Sequence, residues 1–426
     1  MMRENRGFMT IQPKILSRPQ LAAVVAGNAL EFYDFLIFGF FAVQIGATFF
    51  PGKDATGSLL LTLATFGVGF LTRPLGGALI GPLGDRIGRK PAMLFSFGLM
   101  GLCIVGLALT PSYASIGVAA PMLAVFFRLL QGFALGGEVG PTTAFLLEAA
   151  PPERRGLHVA LQFATQQGAT LCAGLVGVVL SNLLSPTHLN AWGWRIAMLL
   201  GAAVVPFALV LRRRLPETLD LQATKQSYRP TRAQVVLGLL TVVMLASATI
   251  GTYTLNYMNI FATHTLGMSP AVAFGAILIG GGSGAIFNTL GGLLSDRYGR
   301  KPLMITGYGL LCLAAIPCFM LMSHWRTPLV LYACSALMPA LLGLGTPAIM
   351  CVLMESLPPQ MRSGVTGIIY ALAIAIFGGS ASLVVAWLTE LTGSPLAPAG
   401  YMSAALALGM LAMLGVRETA PIKTSG

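Results

Sequence analysis

The chain has 426 residues, of which 55% are hydrophobic and only 9% are charged, with a formal net charge of +12. Its mean hydropathy is +0.79. A soluble domain carries about 25% charged residues, so this composition excludes a soluble protein and predicts one that crosses a membrane many times. The six Cys lie in apolar runs without CxxC spacing, which excludes a disulfide-rich secreted scaffold.

Twelve apolar runs are long enough to cross a bilayer, which requires about 20 residues at a rise of about 1.5 Å each. The first run contains Glu31 and Asp34 and has no small-residue cleavage site, so it is predicted to remain as a helix and not to be removed as a signal peptide. The predicted fold class is an all-α integral membrane protein with 12 transmembrane helices. The runs lie at 21–45, 57–83, 92–110, 117–147, 157–184, 193–211, 233–260, 271–294, 302–323, 328–354, 364–389 and 399–416.

The positive charges are distributed unevenly over the predicted connections. When both termini and the even-numbered connections are placed on one side, 21 of the 26 Lys and Arg residues lie there, and only Lys53, Arg195 and Arg326 lie on the other. Since basic loops remain in the cytoplasm, both termini are predicted to be cytoplasmic. The net charge therefore indicates orientation and not nucleic-acid binding.

An internal repeat divides the chain into two halves. The segment Asp85–Pro91 recurs as Asp296–Pro302 with six of seven positions identical, and Glu148 and Arg155 recur as Glu355 and Arg362. This predicts two pseudo-symmetric six-helix bundles. The predicted units are a cytoplasmic N-terminal arm at 1–20, a first bundle at 21–211, a cytoplasmic linker at 212–232, a second bundle at 233–416 and a cytoplasmic tail at 417–426.

These motifs carry a resemblance to a known family. GPLGDRIGRKP at 81–91 and GLLSDRYGRKP at 292–302 resemble the loop signature of the major facilitator superfamily. GNALEFYDF at 27–35, FFP at 49–51, RLLQGFALGGEVG at 128–140 and WGWR at 192–195 resemble its metabolite:proton symporter family. Gln166-Gln167, VPFALVLRRRLPET after WGWR, and AIFGG at 375–379 are most similar to the citrate and tricarballylate symporters of that family.

The resemblance implies two bundles that rock about a central site, with an acid of the first helix near the Arg of the fourth as the proton-coupled element. Depth counting agrees, because it places Glu31 roughly 15 Å and Asp34 roughly 20 Å from the cytoplasmic side, and Arg128 roughly 16 Å from the outside. A buried carboxyl binds a proton more readily and a neighbouring Arg opposes this, so movement of the Arg would switch proton affinity. Static ion pairing between the two helices is the alternative.

Arg73 and Glu138 are predicted to form a second pair, near the cytoplasmic interface. Three readings stay open for Arg73: snorkelling of a long side chain towards the headgroups, an inner-gate salt bridge, and contact with an anionic substrate.

Neutral polar side chains at mid-depth are further candidates for substrate contacts, since an amide can bind a carboxylate without changing the charge count. An interhelical hydrogen bond is the alternative for each of them. The predicted substrate-binding residues are Asn28, Arg73, Arg128, Gln131, Gln162, Gln166 and Gln167. Tyr253 and Asn256 are placed at the outer end of the seventh helix and suit an outer gate, although an interfacial aromatic belt explains the tyrosine equally well.

The repeated loops are predicted to hold the cytoplasmic side closed. Asp85 and Asp296 can accept hydrogen bonds from a helix N-terminus, or pair with nearby arginines. A pure topology signal is the alternative. The predicted gate and latch residues are Asp85, Arg86, Arg89, Glu138, Asp296, Arg297, Arg300, Tyr253 and Asn256.

The leading hypothesis is a proton-coupled symporter that imports a small organic anion, such as citrate or tricarballylate, by rocker-switch alternating access. Alternatives are symport of another metabolite (α-ketoglutarate, shikimate or a betaine-like osmolyte) and export by proton antiport. An enzyme is not predicted, because no His or Cys constellation lies in the membrane, and neither a metal site nor a cofactor beyond the proton gradient is expected. The expected partners are the substrate, protons and membrane lipid, and the protein is expected to act as a monomer.

Overall fold

The computed structural model describes residues 29, 32–52, 54–87, 89–136, 139–148, 150–213 and 231–424. All regular structure in these residues is helical. Each of the twelve predicted runs contains a helix, so the predicted all-α fold class is confirmed. Eight helices are long and apolar enough to cross a membrane, or nine when one bent pair is taken as a single span, within the part of the chain that is described.

We number the main helices α1 to α12 in chain order. In the first half, α1 comprises Phe32–Phe40 and Ala42–Phe49, α2 comprises Ala55–Leu71 and Arg73–Ile87, α3 is Arg89–Leu109, α4 comprises Ala119–Leu135 and Val139–Glu148, α5 is Arg155–Leu183 and α6 is Trp194–Arg213. In the second half, α7 runs from Arg232 to Asn256 and continues to Thr265, α8 is Pro270–Tyr298, α9 is Arg300–Trp325, α10 is Pro328–Glu355, α11 runs from Pro359 to Thr392 and α12 is Ala397–Gly415.

Local sequence explains where several helices begin. The Asp54 carboxylate accepts a hydrogen bond from the Gly57 N–H at the start of α2, and Thr231 and Gln234 form a capping box at the start of α7. Gly299 separates α8 from α9 with a φ of 105°, which side chains with a Cβ rarely adopt. The repeated loop motif therefore turns the chain sharply at this glycine.

Several of the helices are interrupted, and α7 has a π-helical turn at Phe261–Thr265. The two segments of α1 meet at Phe41 with a bend of 68°, α2 is broken at Thr72, and α11 contains a π-helical turn at Ile374–Gly378. Such interruptions often occur at functional sites. Two of them, at Phe41 and Thr72, lie close in sequence to residues of the candidate site.

Glycines allow helices from opposite halves to touch along their backbones. On α5 and α8, a Cβ at Gly174 would overlap the backbone of Leu278, and a Cβ at Gly281 would overlap that of Leu171. On α2, a Cβ at Gly67 would overlap the carbonyl of Gly379 in α11. Small residues permit this close approach in membranes, so the two halves are packed together in the described conformation.

The predicted N-terminal arm and most of the predicted linker lie outside the described residues. The structure places the first part of the predicted tail, from Arg417 to Thr424, against the loop between α8 and α9.

Candidate functional site

Two arginines from different helices contact one phenylalanine ring in the first half. The guanidinium carbon of Arg128, on α4, lies 4.3 Å from the centroid of the Phe35 ring, and that of Arg73, on α2, lies 4.5 Å from the same centroid. The two guanidinium carbons are therefore within about 9 Å of each other. We call Phe35, Arg73 and Arg128 the arginine site.

Arg128 is completely buried. It donates to Gln131 Oε1 at 2.5 Å and to the carbonyl oxygen of Phe66 at 3.3 Å, and its guanidinium also lies over the rings of Phe38 and Phe66. No carboxylate of the described residues lies within salt-bridge distance of it. A buried cation is costly unless an anion accompanies it, so this position favours a negatively charged ligand.

The structure corrects the predicted position of Arg73. Depth counting placed it near the cytoplasmic interface, in a separate pair, but its side chain is 7% exposed and shares a ring with Arg128. It also lies 4.5 Å from the centroid of the Phe70 ring. The break at Thr72 and the long Arg side chain account for the difference, since counting residues measures the height of Cα only. The buried guanidinium does not favour snorkelling. The predicted pair with Glu138 stays a prediction, because Glu138 lies outside the described residues.

Tyr253, predicted at the outer end of the seventh helix, lies near the arginine site, and its role in an outer gate stays a prediction. Its ring contacts Phe70, with centroids 5.5 Å apart, and Phe66, with centroids 6.1 Å apart. Its hydroxyl is close enough to Arg73 and Arg128 to interact with their charges. It is contributed by α7, so the second half completes the wall of a site whose cations come from the first.

Asp34 faces away from the arginines, which corrects the prediction of a single cluster with Arg128. Its Oδ1 lies against Gly201 of α6, where a Cβ would overlap it, and has no hydrogen-bond partner among the described residues. The adjacent Tyr33 hydroxyl donates to the carbonyl of Ala197 at 3.1 Å. This segment of α1 is thus docked on α6. Glu31 and Asn28 lie outside the described residues.

The predicted glutamines separate into different environments. Gln131 contacts Arg128, as above, whereas Gln166 lies against Tyr370 of α11, which is itself close to Arg73. Gln167 lies against Gly284 of α8, and Gln162 is buried in α5. Gln131 and, through Tyr370, Gln166 are brought to the arginine site.

A small cavity, lined in part by Gln167, lies between α5, α7, α8 and α10. Its polar lining consists of Gln167, Thr170, Thr252, Asn256 and Ser335. Its volume is about 20 Å³, room for about one water molecule. Asn256, a predicted gate residue, lines this interior cavity. Among the described residues, α5 and α8 of the two halves are in contact beside this small cavity, an arrangement that we call the closed conformation.

A buried network of charges joins α5, α8, α9 and α10 next to the repeated loop. Asp296 accepts hydrogen bonds from the backbone N–H groups of Gly156 and Leu157 at 2.8 and 2.9 Å, at the N-terminus of α5. Arg300 donates to Asp296 at 2.7 Å and forms an ion pair with Glu355 at 3.0 Å. The contacts of Asp296 with Gly156 and Leu157 cross between the halves, whereas the ion pairs of Arg300 lie within the second half.

Not all predicted latch residues join this network. Arg297 lies over the ring of Tyr298, its own neighbour, at 5.5 Å. The side chains of Asp85, Arg86 and Arg89 are outside the described part of the structure. Glu148 and Arg362 form a further pair between the halves, at 3.7 Å.

The start of the tail is attached to the same network. Glu418 accepts hydrogen bonds from the backbone N–H groups of Arg300 and Lys301 at 2.8 and 3.0 Å, at the N-terminus of α9. The Thr419 hydroxyl donates to Glu355 at 2.7 Å. Partial burial raises the pKa of Glu418, but backbone N–H donors, first that of Ala420, outweigh it and hold the pKa below the ordinary value.

On the opposite side of the membrane, α7 and α8 close against the bend in α1. Asn259 donates to the carbonyl oxygen of Phe40 at 2.6 Å, and the rings of Phe41 and Phe274 lie 4.7 Å apart. Asn259 therefore makes a contact between the halves, and Asn256 lines a second small cavity together with Leu36 and Phe40 of the first half.

Three residues of these sites were missed from the sequence. Phe35 and Tyr370 resemble ordinary apolar packing residues in a membrane helix, although a Tyr in the middle of an apolar run is a usable signal because its hydroxyl requires a partner. Glu355 was identified only as a repeated residue at a helix end. Its position in the repeat, together with the second basic loop, was the signal that could have identified it as an ion-pair partner.

Comparison with known proteins agrees with this architecture. The sequence profile of the Major Facilitator Superfamily matches residues 24–373 and 280–425. A solved structure of a D-xylose-proton symporter superposes with a TM-score of 0.76 at 19% identity, covering 96% of this chain and 99% of that one, which shows the fold alone.

Three curated relatives match over most of their length. A citrate-proton symporter of Klebsiella pneumoniae is 33% identical over 91% of this chain and 89% of its own. A proline/betaine transporter of Escherichia coli K12 is 32% identical over 95% and 85%, and an α-ketoglutarate permease of the same organism is 34% identical over 86% and 87%. These relatives match the resemblance to metabolite:proton symporters. The chain therefore belongs to the Major Facilitator Superfamily of membrane transporters, and it is not an enzyme.

Proposed function

We propose that the protein is a proton-coupled symporter that imports a small organic anion, with a di- or tricarboxylate such as citrate or tricarballylate as the favoured substrate. The observation that carries this proposal is the buried guanidinium of Arg128, which has no carboxylate partner among the described residues and lies close to a second buried arginine. An anionic substrate would supply the missing negative charge.

The names of the relatives support an organic acid but also include an osmolyte. Two relatives are named for citrate and α-ketoglutarate, and another for proline and betaine. The buried Arg128 decides our preference, since a betaine carries a permanent cation that its guanidinium would repel. Citrate, tricarballylate and α-ketoglutarate all offer more than one carboxylate.

For proton coupling we propose the carboxyl groups of Asp34 and Glu31. Asp34 is buried against α6 without a hydrogen bond to its Oδ1, and an unpaired carboxylate is costly to bury. This favours a carboxyl group that carries a proton while α1 is docked on α6. Separation of these helices would hydrate the group and favour release of the proton.

For alternating access we propose that the network around Asp296 and Arg300 closes the cytoplasmic side, and that Asn259 with Phe40 closes the outer side. Both sets of contacts join the halves. The excess of basic residues on the loops supports cytoplasmic termini. Opening on either side would break only one of the two sets.

The test is transport of labelled citrate by the purified full chain in proteoliposomes with an inward proton gradient. Accumulation above equilibrium is expected, and its collapse when a protonophore is added. Expulsion of preloaded citrate under the same gradient would instead support the exporter alternative. If citrate, tricarballylate and α-ketoglutarate are not transported while betaine is, the proposed substrate class is wrong.

Proton coupling is tested with Asp34→Asn and Glu31→Gln. At least one variant should lose accumulation driven by the gradient while retaining exchange of labelled for unlabelled substrate, which requires no net proton movement. Asp54→Asn is the matched control, because this carboxylate caps α2 at its end and Asn caps equally well. If both variants retain gradient-driven uptake, the proposed coupling role of Asp34 and Glu31 is wrong, whereas the proposed substrate class is unaffected.

A further inference from the structure

Ser335 occupies, in the second half, the position that Arg128 occupies in the first. Arg128 lies 20 residues before Glu148. Ser335 lies 20 residues before Glu355, which corresponds to Glu148 in the repeat. The two residues are on α4 and α10, roughly 14 and 10 Å from the first residues of these helices. The repeat therefore relates a buried cation of the first half to a neutral hydroxyl group of the second.

The hydroxyl group of Ser335 is buried without a partner. The residue is 3% exposed, and its Oγ makes no hydrogen bond with the described residues. Ser247 of α7, which is also buried, instead donates to the carbonyl oxygen of Met244 in its own helix at 2.9 Å. A buried hydroxyl without a hydrogen bond costs free energy. This position therefore favours a ligand that brings a hydrogen-bonding group.

The cavity beside Ser335 has the size and polarity for a hydroxyl group. It is the small cavity between α5, α7, α8 and α10, and none of the described residues that line it carries a charge. Its volume of about 20 Å³ holds about one water molecule. A carboxylate, with a carbon, two oxygens and a charge, fits such a space poorly, whereas a single hydroxyl oxygen fits.

Asn256 lies between this cavity and residues of the arginine site. It lines both the cavity beside Ser335 and the second small cavity, which Phe66 and Tyr253 also line. The carbonyl oxygen of Phe66 in turn accepts a hydrogen bond from Arg128. The polar cavity and the buried cation thus adjoin neighbouring spaces, so that one substrate can contact both when the halves separate.

We propose that Ser335 is a specificity-determining residue that binds a hydroxyl group of the substrate, while Arg128 binds a carboxylate of the same molecule. This inference rests on the proposed transport of organic anions and narrows the substrate to hydroxy acids, of which citrate is one. A site that hydrogen-bonds a hydroxyl discriminates against an analogue without it, because the buried polar group of the site is then left unpaired. Tricarballylate has the carboxylates of citrate but no hydroxyl.

The test is the affinity of the purified full chain for two pairs of acids, measured by isothermal titration calorimetry. The acids of each pair differ by one hydroxyl group: citrate and tricarballylate, and malate and succinate. In the pair that it binds more tightly, the native protein should prefer the hydroxy acid by about tenfold or more. Ser335→Ala should reduce this preference to about twofold or less, by weakening the binding of the hydroxy acid and not that of its analogue.

Three further measurements separate a binding role from a structural one. Ser335→Ala should not lower the unfolding temperature of the ligand-free protein, since it removes a hydroxyl that no described residue satisfies. Ser335→Cys keeps a side chain of similar size with a weaker donor and should lose the preference as well. Ser247→Ala is the matched control, because this buried serine is satisfied within its own helix, and it should keep the preference.

A native preference in both Ser335→Ala and Ser335→Cys would overturn the inference. An equal loss of preference in Ser247→Ala, or a lower unfolding temperature of Ser335→Ala, would also overturn it. If the native protein binds the acids without preferring those that carry a hydroxyl, the role of Ser335 is wrong and the proposed function stands. If it binds none of the four acids, the proposed function fails, and this inference fails with it.

Discussion

Glu148 and Arg362 form an ion pair, Oε1 to Nη1 at 3.7 Å, between the end of α4 and the first turn of α11. In the sequence repeat, Glu148 corresponds to Glu355 and Arg362 corresponds to Arg155. The pair therefore joins non-equivalent members of the two copies, across the boundary between the halves. The repeat thus explains why each half has both an acid and a base at this level.

The first prediction compares this exposed pair with the buried network. Glu148 is 45% exposed at its side chain, so Glu148→Gln should cost at most about 1 kcal/mol. Asp296→Asn removes a charge that accepts two backbone N–H bonds and one from Arg300, and it should cost about 2 to 3 kcal/mol. Hydrogen exchange at the amides of Gly156 and Leu157 measures the effect. Equal protection in the two variants would contradict the proposed closure by Asp296.

The second prediction concerns Arg128. Arg128→Lys keeps the positive charge but cannot contact Gln131, the Phe66 carbonyl and three rings with one planar group. Substrate uptake should fall by about 100-fold or more, equivalent to about 3 kcal/mol. Arg195→Lys is the control, because this arginine contacts the carbonyls of Ala108 and Thr110 away from the site. Uptake by Arg128→Lys within threefold of native would show that the guanidinium is not needed.

The third prediction uses two adjacent glycines of α8. Gly281→Ala should destabilise the closed conformation by about 1 to 3 kcal/mol, since its methyl group would overlap the backbone of Leu171 on α5. Gly282→Ala meets only the flexible end of the Leu171 side chain, at 3.2 Å, and should be nearly neutral. Thermal unfolding and transport rate are the measurements. Similar effects of the two substitutions would argue against direct packing of α5 on α8.

The fourth prediction compares two Gly→Ala substitutions, of which one lies against Asp34 and the other does not. The methyl group of Gly201→Ala would overlap the Asp34 carboxyl and displace it from its contact with α6. If this contact keeps the carboxyl dry, the substitution should lower gradient-driven uptake more than exchange. Gly400→Ala has open space around its new methyl group and should preserve both activities. If Gly201→Ala leaves proton coupling unchanged, the contact between α6 and Asp34 is not needed for proton transfer.

The fifth prediction is a pH dependence of the tail. Because the pKa of Glu418 in the folded protein lies below its ordinary value of 4.5, its docking is stabilised at neutral pH, weakens as pH falls below that value and is lost below the folded pKa. Exchange of the Arg300 and Lys301 amides should therefore rise in acid beyond its intrinsic pH dependence. Glu418→Gln should show raised exchange already at neutral pH and no such transition. A transition that persists in Glu418→Gln would assign it to another group.

Much of the fold could be predicted because membrane solvation leaves a strong pattern in the sequence. The twelve apolar runs required no knowledge of packing, and the contacts of Asp296 and Arg300 follow from a charged motif at a helix boundary. Such features depend on residues close in sequence or on chemistry that allows few partners.

The arginine site could not be predicted to the same extent, because it depends on the directions of side chains. Depth counting gave the heights of Asp34, Arg73 and Arg128 but not which neighbouring helix each one faces. Asp34 is turned towards α6, while Arg73 reaches the ring that Arg128 also contacts. The positions of Phe35 and Tyr253 depend in addition on contacts among five aromatic rings, for which the sequence has no periodic signal.

The bend in α1 has a mechanical consequence. The inner segment is attached to α6 of the first half through the Tyr33 hydroxyl, whereas the carbonyl of Phe40 and the ring of Phe41 are attached to α7 and α8 of the second. The outer segment is also attached to the first half, because Trp194 Nε1 donates to Thr48 Oγ1 at 3.3 Å. The contacts with the second half therefore lie at residues 40 and 41, between two attachments to the first. We expect the angle of this 68° bend to change when the halves move relative to each other. A pair of spectroscopic labels on either side of residue 41 would measure that change.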